Sequence, residues 1–237
     1  MRRLLNQAKR LARKIVNTFL PTENIIESKQ KWNLLAQKNA PYYIKTDFGE
    51  NITEAEFRQS GEKDYQDLIK NDRLVKENLG NFKDKTVLEI GCGIGRVTEF
   101  ISKNFKKVLA IDISEEMVRE GERRLKDCVN IEFIAGDGRT YPVADSSIDF
   151  VFSYIVFQHM PNKKVVEENF KNIKRVLKNG GIAKIQVRGL PTSKMNWFYG
   201  PSFTEKEITK MINSIGLELL KTEGGNQRYF WIWLQKI

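Results

Sequence analysis

The sequence contains two cysteines, one histidine and no long apolar run, and each scarcity narrows the class of protein. Cys92 and Cys128 have no Cys or His neighbour at a zinc-ligand spacing, so we expect no structural zinc site and no disulfide framework, although a single disulfide between them stays open. Charged residues interrupt every apolar stretch before it reaches eighteen residues, which argues against a transmembrane helix. No acidic cluster typical of bound magnesium occurs either. We therefore expect no metal ion and a reducing, cytoplasmic setting.

The composition is that of a folded globular protein. Of the 237 residues, 41% are hydrophobic and 30% are charged, which matches neither a disordered nor a fibrous chain. This length suffices for one α/β domain with a buried core and is short for two catalytic domains. One domain with appendages is expected.

Basic charge is concentrated at the start of the chain. The first twenty residues hold six Lys and Arg and no acidic residue, which leaves +4 of the formal +10 for the rest. Apolar residues recur there at three- and four-residue steps until Pro21, which predicts a basic amphipathic helix over 1–21. Such a helix can pack on the domain as a lid, lie on an anionic membrane surface, or serve as a cleaved targeting peptide. The mildly basic remainder disfavours nucleic acid as a partner.

Two further segments follow this helix. Residues 22–82 alternate helical and irregular pieces, which predicts an N-terminal helical cap. Over 83–237 apolar runs alternate with amphipathic stretches, a pattern typical of a parallel sheet with helices on both faces. Two apolar runs joined by Gly-Gly-Asn at 224–226 predict a terminal hairpin that adds an antiparallel strand. The strand-like runs are TVLEIG, KVLAID, NIEFIAG, IDFVFSYI and GIAKIQV, and helices are expected over 96–104, 114–126 and 165–177.

The most informative motif is VLEIGCGIGRVT, in which an apolar strand leads into Gly91, Gly93 and Gly95 and then into a helix. Residues without Cβ let the backbone approach a ligand closely, with N–H groups facing the ligand at the helix N-terminus. A second strand ends in Asp112, about twenty residues after the first glycine, where a carboxylate can accept hydrogen bonds from a ribose diol. The motif predicts a nucleoside site. Its G-x-G-x-G spacing disfavours an NAD-dependent oxidoreductase, which carries G-x-G-x-x-G.

With these motifs, the sequence from Lys85 to Ile237 resembles the class I S-adenosylmethionine-dependent methyltransferase family. EIGCGIG and IDIS resemble the family's first two motifs, and IEFIAGDGRTYPV and SSIDFVFSYIVFQHM resemble the third and fourth. The resemblance implies a Rossmann-like fold with a seven-stranded, mostly parallel sheet, and S-adenosyl-L-methionine as the cofactor. It further implies that the glycine bend holds the methionine part, Asp112 the ribose, and Ile113 and Asp137 the adenine. The residues expected to bind the cofactor are Glu89, Gly91, Cys92, Gly93, Asp112, Ile113, Met117, Asp137, Gly138, Ser153 and Tyr154.

Residues for a methyl acceptor are expected where the fourth and fifth strands end, because open α/β sheets bind ligands at that edge. His159, the only histidine, is a candidate base or orienting group there, or alternatively caps or packs beneath the next helix. Gln158 and Arg188 lie at the same edge, and Arg188 can meet an acidic acceptor or remain solvated. From the cap, Tyr43 and Arg58 are candidates to close over the cofactor carboxylate or the acceptor.

The acceptor itself is not determined by these patterns. Residues 153–156 read Ser-Tyr-Ile-Val, where base-amino DNA methyltransferases carry an Asn-Pro-Pro-Tyr type segment, and no Pro-Cys nucleophile is present. This favours a small-molecule, sugar or lipid-linked acceptor. A non-catalytic module that binds the cofactor and docks on a membrane or protein partner is the alternative. Nothing in the sequence indicates an oligomeric state.

Overall fold

The computed structural model describes residues 24–191 and 200–237, so the basic helix expected over 1–21 and its candidate roles lie outside the described residues. Seven strands form one sheet in the described part of the chain. The strands are β1 (Thr86–Ile90), β2 (Lys107–Asp112), β3 (Ile131–Ala135), β4 (Ile148–Ser153), β5 (Leu177–Val187), β6 (Glu218–Glu223) and β7 (Phe230–Gln235). The α-helices are α1 (Ile25–Ile44), α2 (Glu54–Tyr65), α3 (Arg73–Leu79), α4 (Thr98–Ser102), α5 (Glu115–Arg124), α6 (Lys163–Val176) and α7 (Glu205–Ile215).

The strand order across the sheet is β3-β2-β1-β4-β5-β7-β6. Strands β1 to β5 run parallel to one another, and β7 is inserted antiparallel between β5 and β6. The prediction of a seven-stranded, mostly parallel sheet with an antiparallel C-terminal hairpin is thus confirmed. From β1 the chain adds β2 and β3 on one side of β1, and it then returns to add β4 on the other side. Such a reversal of strand order opens a crevice at the carboxyl ends of the strands.

The central strands are apolar because helices cover both faces of the sheet. On β1, Leu88 and Ile90 pack with residues of α6 and α7 in one core. Val87 points the other way and packs with Tyr65 and Phe100 in a second core. Alternation along one strand therefore serves two layers of helices.

The helix boundaries follow local capping chemistry. Ser114 accepts a hydrogen bond from the backbone of Met117 and begins α5, so that helix lies within the expected 114–126. The helix α4 is shorter than the expected 96–104, because the turns of the glycine bend extend to the residues just before Thr98. The helix α6 begins two residues before the expected 165–177.

The helices before β1 pack on the same core as the sheet. Ile69 and Val75 are buried together with residues of β1 and β4. On β5, the buried Lys184 pairs with Asp72 at 2.7 Å, and the indole Nε1 of Trp233 donates to the same carboxylate at 3.0 Å. The segment boundary proposed at residue 82 therefore does not separate two hydrophobic cores.

Three further features concern the expectations drawn from scarce residues. In residues 24–191 and 200–237, no helix combines the length and apolar content needed to cross a membrane. Cys92 and Cys128 are both free thiols. The same described residues hold no group of three or more His, Cys, Asp or Glu side chains placed to bind a metal ion.

Candidate functional site

A cavity opens at the carboxyl ends of β1, β2 and β4, beside the reversal of strand order. The sheet edge contributes Glu89, Gly91, Gly93, Asp112, Ile113 and Gly138. The helix α1 and the residues after it contribute Ile25, Ser28, Trp32, Tyr43, Ile44 and Lys45. The loops after β4 and before β7 contribute Tyr154, His159, Arg228 and Tyr229. Segments distant in sequence therefore meet at the crevice that the topology predicts.

The carboxylate of Asp112 holds the glycine bend to the end of β2. Its Oδ2 accepts from the backbone N of Gly93 at 2.9 Å, and its Oδ1 accepts from the backbone N of Ser114 at 2.8 Å. Gly93 has a φ of 55°, and an added Cβ would lie 2.8 Å from Cδ1 of Ile44, so glycine is required between the bend and α1. Burial raises the pKa of Asp112, although hydrogen bonds from the amides of Ser114, Gly93 and Ile113 lower it. Each carboxylate oxygen keeps a lone pair that a hydroxyl group can reach.

Glu89 is a second carboxylate in the wall of the cavity. It is buried, and its Oε2 accepts from Oγ1 of Thr98 at 2.6 Å. Burial raises its pKa to about 7, against the opposing effects of the Thr98 hydrogen bond and the charge of Arg96. Glu89 and Asp112 together make this end of the cavity favourable to a cationic group.

Aliphatic side chains line the cavity beyond Asp112. Ile113 and Ile25 both lie close to Gly138, where an added Cβ would be 2.7 Å and 2.8 Å from their respective Cδ1 atoms. Aliphatic side chains suit contact with the face of a flat aromatic ring. These side chains and Asp112 together fit a nucleoside.

The helix α1 covers the cavity and is fastened to the start of α5. Oδ1 of Asn33 accepts from Oγ of Ser114 at 2.7 Å and from the backbone N of Glu116 at 3.3 Å. Lys29 pairs with Glu115 at 2.7 Å. The helix α1 thus forms a roof over the cavity, and we call its contacts with the start of α5, made by Asn33 and Lys29, the latch.

The opposite end of the cavity is aromatic and basic. The ring of Tyr154 stacks on Trp231 with centroids 5.4 Å apart and lies 6.1 Å from Tyr229. Arg228 lies on the loop between β6 and β7, with its guanidinium carbon 5.4 Å from the ring centroid of Tyr229. Among residues 24–191 and 200–237, no acidic side chain forms an ion pair with Arg228. This end therefore suits an anionic or aromatic ligand.

The structure brings most of the predicted cofactor residues into the cavity lining. Those that line it are Glu89, Gly91, Cys92, Gly93, Asp112, Ile113, Met117, Gly138 and Tyr154. His159 and Tyr43, expected on the acceptor side, line it as well. His159 is buried and meets Trp32 edge to face, with ring centroids 5.7 Å apart. Contacts of these residues with a cofactor or acceptor stay predictions.

Two predicted cofactor residues are engaged elsewhere. The carboxylate of Asp137 accepts from the backbone N of Arg139 at 2.8 Å and of Thr140 at 2.7 Å, so it closes a local turn and does not line the cavity. Burial alone would raise the pKa of Asp137, but the hydrogen bonds from Thr140 and Arg139 outweigh this effect. The pKa therefore lies below its ordinary value. Ser153 is fully buried, and its hydroxyl donates to the carbonyl of Ile90 beneath the bend. Neither position supports direct cofactor contact.

Three of the acceptor-side candidates also lie outside the cavity lining. The guanidinium of Arg58 binds Glu99 through two nitrogens, with Nε at 3.0 Å, on the outer side of α4. Its position does not support the prediction that it closes over a ligand. Gln158 is fully buried behind His159. Arg188 is buried at the end of β5, where its backbone pairs with Ser202.

Sequence reasoning missed the lining residues that come from irregular segments. Lys45, Arg228 and Tyr229 follow or precede regular elements, and no motif marks them. The one usable signal was the Gly-Gly-Asn turn, which predicted the hairpin but not its direction. The backbone N of Gly189 donates to the carbonyl of Gln227 at 3.0 Å, and this contact folds the hairpin loop over the end of β5.

The core of the chain matches a known family model. Residues 87–181, which span β1 to the first part of β5, match a family described as methyltransferase domain. The chain is 31% identical over 116 residues to the malonyl-acyl-carrier-protein O-methyltransferase of Xylella fastidiosa, which covers 48% of this chain and 38% of that protein. It is 34% identical over 120 residues to phosphoethanolamine N-methyltransferase 1 of Triticum aestivum, which covers 49% of this chain and 24% of that protein. The chain thus spans less than half the length of these two relatives.

Solved structures share the fold at low sequence identity. The PH0226 protein of Pyrococcus horikoshii superposes with a TM-score of 0.59 at 19% identity, covering 79% of this chain and 94% of that chain. The (4+2)-cyclase SpnF superposes with a TM-score of 0.56 at 15% identity, covering 69% of this chain and 78% of that chain. At these identities the likeness shows the fold alone.

Proposed function

Because this chain belongs to the class I S-adenosylmethionine-dependent methyltransferase family, we propose that it transfers a methyl group from S-adenosyl-L-methionine to a small-molecule, sugar or lipid-linked acceptor. The observation that carries the proposal is the Asp112 carboxylate, which binds the amide of Gly93 at 2.9 Å and faces the cavity. Asp112 would hold the ribose of the cofactor, and the aliphatic side chains of Ile25 and Ile113 would contact its base. The glycine bend and Glu89 would hold the methionine part.

The residues of the cavity suit the chemistry of this cofactor. When bound, S-adenosylmethionine supplies an activated methyl group on a cationic sulfonium. Glu89 and Asp112 place negative charge at that end of the cavity, which favours the cation over its neutral product. At Gly93 the positive φ and the closeness of Ile44 disfavour a side chain, so the glycine bend presents its backbone to the cavity.

The main task of the protein is alignment. The residues around the cavity would hold the acceptor nucleophile where it can take the methyl group that a bound cofactor would supply, and the electron pair of the carbon–sulfur bond would remain with the cofactor sulfur. Any proton on the acceptor passes to water or to a base. Holding the two reactants in line is worth about 7–11 kcal/mol in favourable intramolecular cases. The latched helix α1 and the aromatic side chain of Tyr154 exclude water from this space.

We further infer that the acceptor carries an anionic group. Arg228 presents a cation without an acidic partner in the described part of the chain, at the end of the cavity opposite Glu89 and Asp112. The guanidinium geometry matches a carboxylate or a phosphate. Relatives differ on this point: two are named for a malonyl group and for phosphoethanolamine, which carry negative charge, whereas that of Staphylococcus carnosus is named for demethylmenaquinone, a quinone without a formal charge. The inference therefore rests on Arg228.

Calorimetric titration with S-adenosylhomocysteine tests the cofactor site. We expect micromolar-range binding to the wild type and a loss of about 10- to 100-fold in Asp112→Asn, because hydrogen bonds to a charged group are worth about 1.5–3 kcal/mol. Asp145→Asn is the matched control, since Asp145 is an exposed carboxylate that pairs with Arg175 away from the cavity. A folded wild type without affinity for this ligand contradicts the proposal.

Activity is tested with a panel of carboxylate, phosphate and neutral acceptors, scored by formation of S-adenosylhomocysteine. For the anionic acceptors that react, we expect Arg228→Gln to raise KM at least tenfold and to leave cofactor affinity unchanged. Arg119→Gln is the control, because Arg119 is exposed and pairs with Glu116 on α5. Turnover of neutral acceptors alone contradicts the inference about charge and leaves methyl transfer intact.

The second candidate function is a non-catalytic module that binds the same cofactor. This alternative stands beside methyl transfer because the residues that line the cavity suit binding of the cofactor whether or not an acceptor is methylated. Tight binding of S-adenosylhomocysteine, combined with no product from the panel or from cell extract as acceptor source, is the result expected of such a module.

A further inference from the structure

Two fully buried glutamines join His159 to the interior of the domain. Nε2 of Gln158 lies 3.2 Å from Nε2 of His159, and Nε2 of Gln186 lies 3.2 Å from Oε1 of Gln158. Both glutamines are 0% exposed. Because solvent does not reach these side chains, each polar atom needs a complementary partner within the protein. The proton positions on the two amides and the imidazole therefore depend on one another. We call Gln186, Gln158 and His159 the glutamine relay.

Backbone groups fix the orientation of the amide of Gln186. The N–H of Ile155 donates to Oε1 of Gln186 at 3.0 Å, and Nε2 of Gln186 donates to the carbonyl of Val187. Exchanging the oxygen and nitrogen of this amide would set two donors against each other at Ile155 and two acceptors against each other at Val187. Since a backbone N–H cannot accept and a carbonyl cannot donate, only one orientation satisfies both groups.

This orientation propagates to the histidine. Nε2 of Gln186 donates a hydrogen bond towards Gln158, so the group of Gln158 that faces it must be the acceptor Oε1. Gln158 therefore presents its NH₂ group to Nε2 of His159. An amide NH₂ only donates, so Nε2 must carry a lone pair, and the proton of the neutral ring is on Nδ1.

We propose that the glutamine relay holds His159 as the neutral imidazole with its proton on Nδ1. Gln158 and Gln186 are then positioning residues for the histidine at the acceptor end of the cavity. The ring of Trp32, which meets His159 edge to face, holds the imidazole from the side of α1. Of the alternatives drawn from the sequence, the relay supports the orienting role of His159 over the role of a base.

The tautomer limits the kinds of acceptor that can react. This limit rests on the proposed methyl transfer, whereas the tautomer itself does not. The lone pair of Nε2 is engaged by a buried amide, and Nδ1 carries the proton, so the ring has no nitrogen left to remove a proton from an acceptor. An acceptor that is already nucleophilic at neutral pH, such as a carboxylate, an ionised hydroxyl or an amine, meets this limit. An alcohol that needs an enzymatic base does not.

The chain contains one histidine, so nuclear magnetic resonance can observe the tautomer directly. Protein labelled with ¹⁵N-histidine and purified with a histidine-free tag gives one pair of ring nitrogen signals in long-range ¹H–¹⁵N spectra at pH 7.5. We expect Nδ1 in the protonated range and Nε2 in the unprotonated range. A proton on Nε2, or on both nitrogens, overturns the proposal.

The cause of the tautomer is tested by replacing the amide of Gln158 with a group that can only accept a hydrogen bond. Glutamate is the side chain of the same length that does so, although it adds a charge. In Gln158→Glu the side chain facing His159 becomes an acceptor only, and we expect the ring proton to move to Nε2 or a second proton to appear. Gln235→Glu is the control, because Gln235 bonds Asn78 and Gly180 at the far end of the sheet, and its spectrum should match the wild type. An unchanged ring in folded Gln158→Glu contradicts the relay, and if this variant does not fold, the wild-type spectrum alone decides. Titration of the same samples with S-adenosylhomocysteine shows separately whether the cofactor site is intact.

Discussion

At the scale of single residues, the carboxyl group of Glu89 has the most consequential environment in the cavity. Burial raises its pKa to about 7, well above the value of an unfolded glutamate. The fold therefore favours its protonated form, and this contribution to stability, about 3 kcal/mol, is complete below a pH of about 4.5 and is lost as the pH rises through about 7. A cation bound nearby reverses the preference, because it stabilises the carboxylate.

This environment predicts proton release on cofactor binding. Near neutral pH, Glu89 is partly protonated, and the positive charge of S-adenosylmethionine lowers its pKa, so binding to the wild type should release up to one proton. Calorimetry in buffers of different ionisation enthalpy counts that proton. Glu89→Gln should release none and should bind with an affinity that does not rise between pH 6 and 8. Equal proton release by both proteins is the contrary outcome.

Two strand-end aspartates show how far sequence reasoning reaches at this scale. Asp112 and Asp137 both follow an apolar strand, and the same family pattern placed both on the cofactor. The carboxylate of Asp112 reaches a residue nineteen positions away, Gly93, whereas that of Asp137 turns to its own neighbours, Arg139 and Thr140. An aspartate side chain can accept from neighbouring backbone groups or from groups that are distant in sequence. The spacing of residues in a motif does not show which of these hydrogen bonds will form.

At the scale of elements, α2 supports the glycine bend from outside the cavity. Arg96, at the end of the bend, pairs with Asp64 at 2.7 Å and donates to Oγ of Ser60 at 3.2 Å. Gly61 lies directly on the backbone there, since an added Cβ would be 2.1 Å from the carbonyl oxygen of Arg96. The helix and the bend are therefore in direct contact, through an ion pair and through their backbones.

A substitution at Gly61 tests how much the packing of α2 on the glycine bend stabilises the protein. Gly61→Ala must displace α2 from the bend, and we expect it to lower the free energy of unfolding by about 1–3 kcal/mol, as overpacking does. Urea denaturation measures that loss, and cofactor affinity should fall with it. Gln59→Ala, on the exposed side of the same helix, should leave both quantities within about 0.5 kcal/mol of the wild type.

The latch of α1 predicts the lifetime of the bound cofactor. Asn33→Ala removes the acceptor for two donors at the start of α5, so the roof should open more often and release S-adenosylhomocysteine about tenfold faster. Stopped-flow displacement measures the rate. Asn78→Ala, whose side chain bonds Leu74 on α3, should release the ligand as the wild type does. A wild-type rate in Asn33→Ala would show that α1 does not retain the ligand.

Element types were predictable because period and capping are local properties. The apolar runs gave the strands, and the Gly-Gly-Asn turn gave the hairpin, both of which the structure confirms. The roof formed by α1 was not predictable in position, because its contacts, such as Asn33 with Ser114, join residues 81 positions apart. The pairing of Arg58 with Glu99 was not predictable for the same reason, since Glu99 is also remote in sequence, and the role of Arg58 stays a prediction.

At the scale of the whole molecule, a buried ion pair joins the N-terminal helices to the sheet. Lys184 on β5 and Asp72 before α3 are both nearly inaccessible, and Lys184 also lies 4.8 Å from the ring centroids of Trp231 and Trp233. The cap and the sheet therefore share one interior. We expect a single cooperative unfolding transition, with coincident fluorescence and circular dichroism curves.

Removing the lysine should weaken the entire fold. Lys184→Met leaves the carboxylate of Asp72 buried without its partner, and we expect a loss of about 3–5 kcal/mol in urea denaturation. Lys221→Met is the matched control, because Lys221 lies 4.8 Å from the same Trp233 ring but in an exposed pair with Glu223, where about 1 kcal/mol or less is expected. Similar losses in the two variants would contradict the role of the buried pair.

The hairpin that ends the sheet brings a short loop to the cavity. Both legs of the hairpin are hydrogen-bonded into the sheet, while its tip supplies Arg228 and Tyr229 to the cavity lining. If Arg228 holds the acceptor as proposed, substitutions in the tip should change the choice of acceptor without displacing Asp112. Residues 224–229 would then be a short cassette for protein engineers, on a scaffold whose strands stay paired.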